Sequence, residues 1–187
     1  MPLFWETLDT PDRVAASALK VILLTGQRPG EVAHMRREHV RDGWWEMPGE
    51  PVPELGWPGT KNGASHRVWL PAPVRALIGE ADSGYVFASA RGGVVALAKP
   101  MRGICKSIGI PRLTPHDLRR SHGSTVTALG FGRDAMNRIQ NHREGGIADV
   151  YDRHGYETET KNIMEAVAMH IMSLIDGRAA DNVVAFR

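Results

Sequence analysis

The sequence predicts a mainly α-helical fold with one small antiparallel β-sheet beside the helices. Apolar residues recur at helical spacing over most of the chain, and the pairs Thr10-Pro11 and Thr114-Pro115 mark two helix starts. Residues 39–70 differ in character, with strand-like segments separated by turn residues. The elements follow from these observations in chain order.

The first predicted helix begins with Thr10-Pro11-Asp12, which supplies a capping threonine, a proline at the first helical position and an acid near the positive end of the helix dipole. Residues at helical spacing should face the core, namely Val14, Ala18, Val21 and Ile22. Gly26 should end this helix, and a short second helix should run from about residue 29 to residue 35. Arg28 then lies at the corner between the two helices, where its side chain can project beyond the backbone.

A β-hairpin is predicted within residues 40–47, because Asp42-Gly43 is a favoured two-residue turn. A loop rich in proline and glycine follows. A second turn, at Asn62-Gly63, should connect Thr60-Lys61 to a strand at residues 67–70. Lys61 would therefore lie at the edge of the small sheet.

The rest of the chain is predicted to be helical as far as residue 175. The expected helices cover residues 72–79, 94–108, 115–129, 133–140, 146–153 and 159–175. Residues 1–175 are expected to form a single domain, and residues 176–187 a loose C-terminal tail.

Composition indicates an ordinary soluble protein, since 42% of the 187 residues are hydrophobic and 24% are charged. Cys105 is the only cysteine, which excludes an internal disulfide and favours a reducing, cytoplasmic location. The N-terminus does not have the pattern of a secretory signal, and no apolar stretch approaches the roughly 20 residues of a membrane span.

Charge is distributed unevenly along the chain, although the formal net charge is only +2. Lysines and arginines dominate residues 99–143, whereas acidic residues dominate residues 149–165. Such a basic region suits a DNA partner, and it equally suits solvated helix faces. Charge alone does not separate these two interpretations.

The strongest local pattern is Thr114-Pro115-His116-Asp117-Leu118-Arg119, which predicts a capped helix start. His116 and Arg119 are three residues apart, so they share one face of the first turn. Unpaired backbone N–H groups and the helix dipole favour an anion at the same place. The pattern therefore predicts a phosphate site, or alternatively a capped helix whose histidine and arginine pair with a neighbouring carboxylate.

Four segments taken together resemble the catalytic domain of the tyrosine recombinases, the phage-type integrases. They are Thr25-Gly26-Gln27-Arg28-Pro29-Gly30-Glu31-Val32, Thr60-Lys61-Asn62-Gly63, His116-Asp117-Leu118-Arg119, and Asn141-His142 with Tyr151 nine residues on. The resemblance runs from about residue 9 to about residue 175 and implies the catalytic-domain fold of that family. It also implies an active site made of Arg28, Lys61, His116, Arg119, His142 and Tyr151.

The resemblance implies a role for each of these side chains in the cleavage of a phosphodiester. Two arginines and one histidine would stabilise the charged phosphorus centre, a second histidine would accept or relay a proton, a lysine would protonate the leaving 5′ oxygen, and a tyrosine would attack. Arg28, Arg119 and His142 are the residues that would stabilise phosphorus. His116 would accept or relay the proton, Lys61 would protonate the leaving oxygen, and Tyr151 would attack.

Tyr151 is chosen over Tyr85 and Tyr156 because the family's nucleophile follows its last histidine by nine residues. The family usually has Leu-Gly-His where this chain has Gln140-Asn141-His142. Asparagine tolerates left-handed backbone angles better than most residues, so the turn should persist.

Three further residues receive structural interpretations. Glu31 is expected near Arg28, where it orients the arginine or supports the helix start. His66 is interpreted as a structural residue or a contact to the DNA backbone, and His122 as structural.

The implied activity is the breaking and rejoining of DNA strands through a 3′-phosphotyrosyl intermediate, without metal or ATP. Duplex DNA would be the partner, and a homotetramer on paired sites the assembly of a full-length enzyme. Members of the family generally carry a helical DNA-binding domain before the catalytic one, and we expect that domain to be absent from this chain.

Three alternatives stay open at this point. A relative of the type IB topoisomerases would use the same tyrosine chemistry without pairing two sites. A non-catalytic DNA-binding or assembly module could share the fold. A metal-dependent hydrolase could use some of the eight histidines.

Overall fold

The computed structural model describes residues 2–8, 13–142 and 156–177. The predicted helix start at Thr10-Pro11-Asp12, the predicted helix at residues 146–153 and the tail beyond residue 177 lie outside this range. Tyr151 lies outside it as well.

The described residues form a mostly helical protein with a small sheet, as the sequence predicts. The helices are α1 (Pro2–Thr7), α2 (Arg13–Thr25), α3 (Pro29–Ala33), α4 (Ala72–Ile78), α5 (Ala98–Ser107), α6 (Pro115–Ala128), α7 (Gly132–Ile139) and α8 (Glu157–Ile175). The strands are β1 (Val40–Arg41), β2 (Trp44–Met47) and β3 (His66–Trp69). None of these helices is both long and apolar enough to cross a bilayer.

Helix α2 is the centre of the core. It is buried along nearly its whole length after the first turn and packs against α4, α5, α6 and α8. Ala18, Val21 and Ile22 are fully buried, as predicted, but Val14 is 37% exposed and the prediction for it was wrong. Val14 belongs to the first turn of α2, before the helix enters the packed interior.

Helix α2 ends where predicted, at a glycine in the left-handed region. Gly26 has a φ of 67°, and its amide donates to the Ile22 carbonyl at 2.8 Å. The chain then enters α3, so Arg28 lies at the corner between the two helices, also as predicted. A β-carbon at Gly26 would come within 2.4 Å of Nδ1 of His122, a fully buried residue of α6.

The sheet is antiparallel with the order β1-β2-β3. The predicted hairpin is present, with Val40 opposite Trp45. Asp42 and Gly43 have φ values of 49° and 79°, and two positive values suit the right-handed twist of a two-residue hairpin.

The prediction that Lys61 would lie at the edge of the sheet, in a hairpin with the last strand, was wrong. Strand β3 pairs with β2, placing Trp44 opposite Trp69. Residues 60–63 form a turn before β3 instead, in which the Thr60 amide donates to the Gly49 carbonyl at 2.9 Å and the Thr60 hydroxyl to the Ala64 carbonyl at 2.8 Å. The Thr60 carbonyl accepts the Gly63 amide at 3.1 Å, so both backbone groups of Thr60 that a strand ladder would need are already bonded.

Polar contacts attach α8 to the sheet and to α7. Arg67 of β3 pairs with Glu157 at the start of α8, and the Trp69 indole donates to Glu165 at 2.7 Å. Arg138 of α7 pairs with Glu159 at 2.7 Å. The sheet and the C-terminal helices therefore form one continuous packed unit around α2.

Gly26→Ala is expected to lower the free energy of unfolding by roughly 2–4 kcal/mol, because the added methyl combines a left-handed backbone with a clash against a buried ring. Urea unfolding of the purified chain measures this.

Gly30→Ala is the matched control, since Gly30 lies within α3 and nothing occupies the space that its methyl would fill. Its stability should stay within about 1 kcal/mol of the parent, because alanine is the better helix former. Equal losses in the two variants would contradict this account of the α2–α3 corner.

Candidate active site

Three successive main-chain carbonyls at the end of α7, those of Ile139, Gln140 and Asn141, accept hydrogen bonds from side chains distant in sequence. We call these the carbonyl cluster. Five side chains donate to it: Gln27 and His66 to Ile139, each at 2.9 Å, Arg119 to Gln140 at 2.6 Å, and Arg28 and Asn62 to Asn141 at 3.0 and 2.9 Å. The last carbonyls of a helix have no partner within the helix, so they need such donors. This requirement brings four parts of the chain together.

Arg119 projects from the first turn of α6 and is almost entirely buried. Besides Gln140, its guanidinium donates to the Gly26 carbonyl at 2.7 Å. Burial, followed by the nearby charge of Arg28, lowers the pKa of Arg119 to about 10, and Glu31 opposes this shift. The group therefore remains charged at neutral pH while bonding mainly to neutral oxygens, an arrangement that attracts an anion.

The carboxylate nearest in sequence to His116 and Arg119 is that of Asp117, and its bonds go to other groups. Asp117 accepts from the Thr114 amide and hydroxyl at 2.8 and 2.7 Å and pairs with Arg120 at 2.8 Å. These bonds lower the pKa of Asp117 to about 2. The carboxylate thus caps α6, as predicted for this helix start.

Arg28 extends from the α2–α3 corner towards the same carbonyl cluster. Its guanidinium donates to the Asn141 carbonyl, as described above, and also to Oε1 of Glu31 at 3.3 Å. Glu31 therefore lies beside Arg28, as expected. The same carboxylate oxygen accepts the backbone amide of Lys61 at 3.3 Å. Glu31 is buried, and it holds the Lys61 turn against Arg28.

Lys61 is exposed on its turn, and the turn is also fixed from the other side. Asn62 donates to the Asn141 carbonyl, and Asn141 donates from its own amide to Oδ1 of Asn62 at 3.2 Å. Asn141 has a φ of 51°, the left-handed conformation expected for it. Lys61 and His142 therefore lie on two turns that are hydrogen-bonded to each other.

His142 contacts Arg119 directly, with 2.8 Å between its Nε2 and an Nη of the guanidinium. A guanidinium can only donate, so Nε2 accepts and the ring is neutral in this arrangement. The proton then lies on Nδ1, which faces Oδ1 of Asn137 at 3.3 Å. Two residues predicted to bind the same phosphate thus bind each other in the free protein.

His116 is exposed in the first turn of α6, on the side of Arg119. Partial burial and then the charges of Arg119, Lys61 and Arg120 lower its pKa, and Asp117 opposes them. The structure therefore brings His116 into the electrostatic field of both Arg119 and Lys61. A neutral imidazole in such a place can accept a proton.

Sequence analysis missed two side chains that assemble this site, Gln27 and Asn62. Each is the immediate neighbour of a predicted site residue, but its partners are 112 and 79 positions away. Local patterns contain no signal for such contacts.

The structural interpretations of His66 and His122 agree with the structure. His66 donates from Nε2 to Ile139, and burial lowers its pKa to about 4. His122 is fully buried, and its pKa falls to about 3 for the same reason, with Arg119 contributing. Both rings are neutral at physiological pH. Within the described ranges, no cluster of histidine, cysteine or acidic residues could hold a metal ion.

Two tyrosines can be placed, and Tyr151 is not one of them. Tyr85 donates to the Gly56 carbonyl at 3.2 Å and lies under Arg36. Tyr156 is 40% exposed at the start of α8, beneath the guanidinium of Arg138 at 4.1 Å. A groove of about 900 Å³ between the sheet, α7 and α8 is lined by both Tyr156 and His142.

The fold resembles those of several solved recombinases. The integrase from mycobacterium phage Brujita matches with a TM-score of 0.68 at 14% identity, over 89% of this chain and 56% of that one. The XerH site-specific recombinase bound to difH substrate, in a pre-cleavage complex, matches with a TM-score of 0.56 at 17% identity, over 75% of this chain and 45% of that one. XerA recombinase matches with a TM-score of 0.52 at 18% identity, over 95% of this chain and 60% of that one.

This chain spans about half the length of these solved proteins. No curated protein sequence matches it significantly. The model of the phage integrase family matches residues 4–158, which is most of the chain. With the recombinase fold and this match together, the chain belongs to the phage integrase family.

Proposed function

We propose that this chain is the catalytic part of a site-specific recombinase that cuts and rejoins DNA strands through a covalent tyrosine intermediate. Membership of the phage integrase family supports this proposal. The observation on which it chiefly depends is the pair of guanidinium groups, Arg28 and Arg119, held on adjacent carbonyls with His142 in contact with one of them.

The two guanidiniums would bind the non-bridging oxygens of one phosphate. Planar N–H pairs match the geometry of phosphate oxygens, and both groups keep their charge at any physiological pH. Glu31 is buried beside Arg28 and neutralises only part of the local positive charge. As negative charge grows on phosphorus during attack, the same donors would bind it more strongly, which lowers the barrier.

Tyr151 would attack the phosphorus through its phenolic oxygen, and the bond from phosphorus to the 5′ oxygen would break. His116 would take the phenolic proton, since its lowered pKa keeps the imidazole neutral. Lys61 would give a proton to the departing 5′ oxygen. The products are a 3′-phosphotyrosyl bond and a free 5′-hydroxyl, and attack by a 5′-hydroxyl of another duplex reverses the step.

His142 would change its partner when DNA binds. In the free protein its Nε2 accepts from Arg119, whereas donation to a phosphate oxygen requires a proton on Nε2. Donation to the anion would require a proton on Nε2, taken up from solvent or moved from Nδ1, and the contact with Arg119 would then be lost. The scheme retains the energy of the phosphodiester in the tyrosyl ester, so it uses neither nucleotide nor metal.

Tyr151→Phe is expected to abolish the covalent complex that the parent forms with nicked duplexes designed to trap cleavage. The assay is denaturing electrophoresis, with the DNA-linked peptide identified by mass spectrometry. Tyr156→Phe is the control and should retain the adduct, because we assign Tyr156 no chemical role. An adduct on Tyr156 would overturn the choice of nucleophile, and DNA binding without any adduct would favour a non-catalytic module.

The cleavage rate should fall on the acidic side with a midpoint below about pH 6.5, the ordinary histidine pKa. A proton acceptor works only when neutral, and a lowered pKa keeps His116 neutral to lower pH. Single-turnover rates across the acidic range measure the midpoint. His116→Ala should be slower and lose this acidic limb, so an unchanged limb would assign the proton transfer to another group.

Duplex DNA should bind this chain only at low salt, since the chain spans about half the length of similar recombinases and fewer contacts to phosphates are then available. The loss of several phosphate contacts costs orders of magnitude in affinity, and the cost grows with salt. Fluorescence anisotropy over a salt series measures this, and submicromolar binding at physiological salt would contradict it.

A further inference from the structure

We propose that Asn62 and Asn141 act as a positioning pair, which holds the Lys61 turn in place so that the lysine can deliver its proton to the leaving 5′ oxygen. The inference rests on the function proposed above and adds two residues to it. Neither asparagine would touch the reacting atoms.

The two asparagines are joined by reciprocal bonds across 79 residues. Asn62 donates its side-chain amide to the Asn141 carbonyl at 2.9 Å, and Asn141 returns a bond to Oδ1 of Asn62 at 3.2 Å. Asn141 also reaches the Ala64 carbonyl at 3.4 Å. The turn that presents Lys61 is thus bonded to the turn that presents His142.

Asn62 also orders its own turn. Its Oδ1 accepts the Ala64 amide at 3.2 Å and lies 3.2 Å from the Thr60 hydroxyl, whose single proton goes to the nearer Ala64 carbonyl at 2.8 Å. Groups on both sides of Lys61 thus contact one side-chain oxygen. An exposed turn without such bonds would move on the nanosecond scale or slower, as loops generally do. The side chain of Asn62 therefore restricts the backbone from which Lys61 extends.

These contacts complete a closed ring of hydrogen bonds around the lysine. The Lys61 amide bonds to Glu31, Glu31 to Arg28, Arg28 to the Asn141 carbonyl, and Asn141 to Asn62, the neighbour of Lys61. One member of the ring, Arg28, belongs to the phosphate-binding pair. The ring thus fixes the lysine backbone relative to Arg28, and a fixed distance to the bound phosphate is what proton transfer would need.

The backbone of Asn141 gives the pair a clean test. Its φ of 51° is a conformation that glycine adopts without strain, so Asn141→Gly should fold normally. That variant keeps the carbonyl that accepts from Arg28 and Asn62 and removes only the returning amide. Asn62→Ala breaks the link from the other side, and the double variant tests whether the two residues act as one unit.

The decisive experiment compares two leaving groups in single-turnover cleavage of the duplex that yields the Tyr151 adduct. In one substrate the bridging 5′ atom is oxygen, and in the other it is sulfur. When the phosphorus–oxygen bond breaks, a proton must move from Nζ of Lys61 to the oxygen. A thiolate can depart without that proton, because a thiol, with a pKa of about 8.5, is a much stronger acid than an alcohol.

Asn141→Gly and Asn62→Ala are expected to cleave the oxygen substrate about 10- to 100-fold more slowly than the parent, the loss expected from a small displacement of a reacting group. On the sulfur substrate both should approach the parent rate. The double variant should be no slower than the slower single variant. Ser65→Ala is the matched control, since it removes a hydrogen bond to Gly49 from the same loop without involving either asparagine, and it should match the parent on both substrates.

Lys61→Ala separates failure of this inference from failure of the proposed function. Lys61→Ala should cleave the substrate with a bridging oxygen very slowly and should cleave the substrate with a bridging sulfur at close to the parent rate. If sulfur does not rescue Lys61→Ala, the proton-donor role itself is wrong, and the pairing inference falls with it. If sulfur rescues Lys61→Ala but both asparagine variants are equally slow on the two substrates, or as fast as the parent on oxygen, the pair does not position the lysine.

A second readout needs no DNA. Hydrogen exchange of the Lys61 amide, followed by nuclear magnetic resonance, should be faster in Asn141→Gly and Asn62→Ala than in the parent and in Ser65→Ala. Unfolding in urea confirms that each variant is folded under the conditions of measurement. Unchanged exchange in both asparagine variants would overturn the claim that the pair restrains this turn.

Discussion

The candidate site is assembled by the need of one short helix for hydrogen-bond donors at its C-terminus. Helix α7 has only eight residues, and its final carbonyls accept from side chains in the α2–α3 corner, the Lys61 turn, β3 and α6. A helix C-terminus has partial negative charge, which favours cations nearby. Without these donors, buried carbonyl groups would lose their bonds to water and gain nothing in return.

This arrangement explains how two arginines remain close together. Like charges repel, and the charge of Arg28 contributes to the lowered pKa of Arg119. Carbonyl oxygens stabilise both guanidiniums without cancelling their charge, and Glu31 offsets only part of it. The folded protein therefore keeps an excess of positive charge in a partly desolvated place, and that is the condition under which a phosphate binds well.

Features set by neighbouring residues could be predicted from the sequence, and features set by distant contacts could not. The corner at Gly26, the turn at Asp42-Gly43 and the capped start of α6 follow from local backbone preferences, and the structure has all three. The exposure of Val14 depends on where other helices begin to cover α2. The Lys61 turn differs from its prediction because β2 already pairs with β3, and because Thr60 bonds to Gly49 and Ala64. The grouping of Arg28, Lys61, His116, Arg119 and His142 followed from the resemblance, and their proposed roles, with that of Tyr151, remain predictions.

The carbonyl cluster also makes the site unequally sensitive to change. Its acceptors are main-chain atoms, which are present whatever side chains occupy positions 139, 140 and 141, provided that the backbone path is kept. Its donors are particular side chains, and a change at Arg28 or Arg119 removes a bond that no neighbour can replace. Changes of side chain at position 139 should therefore leave the accepting carbonyl in place, whereas Gln140 and Asn141 also form side-chain bonds of their own. Changes at the donating positions remove the donors themselves. A site built in this way depends on the path of one backbone segment and on the identity of the side chains that donate to it.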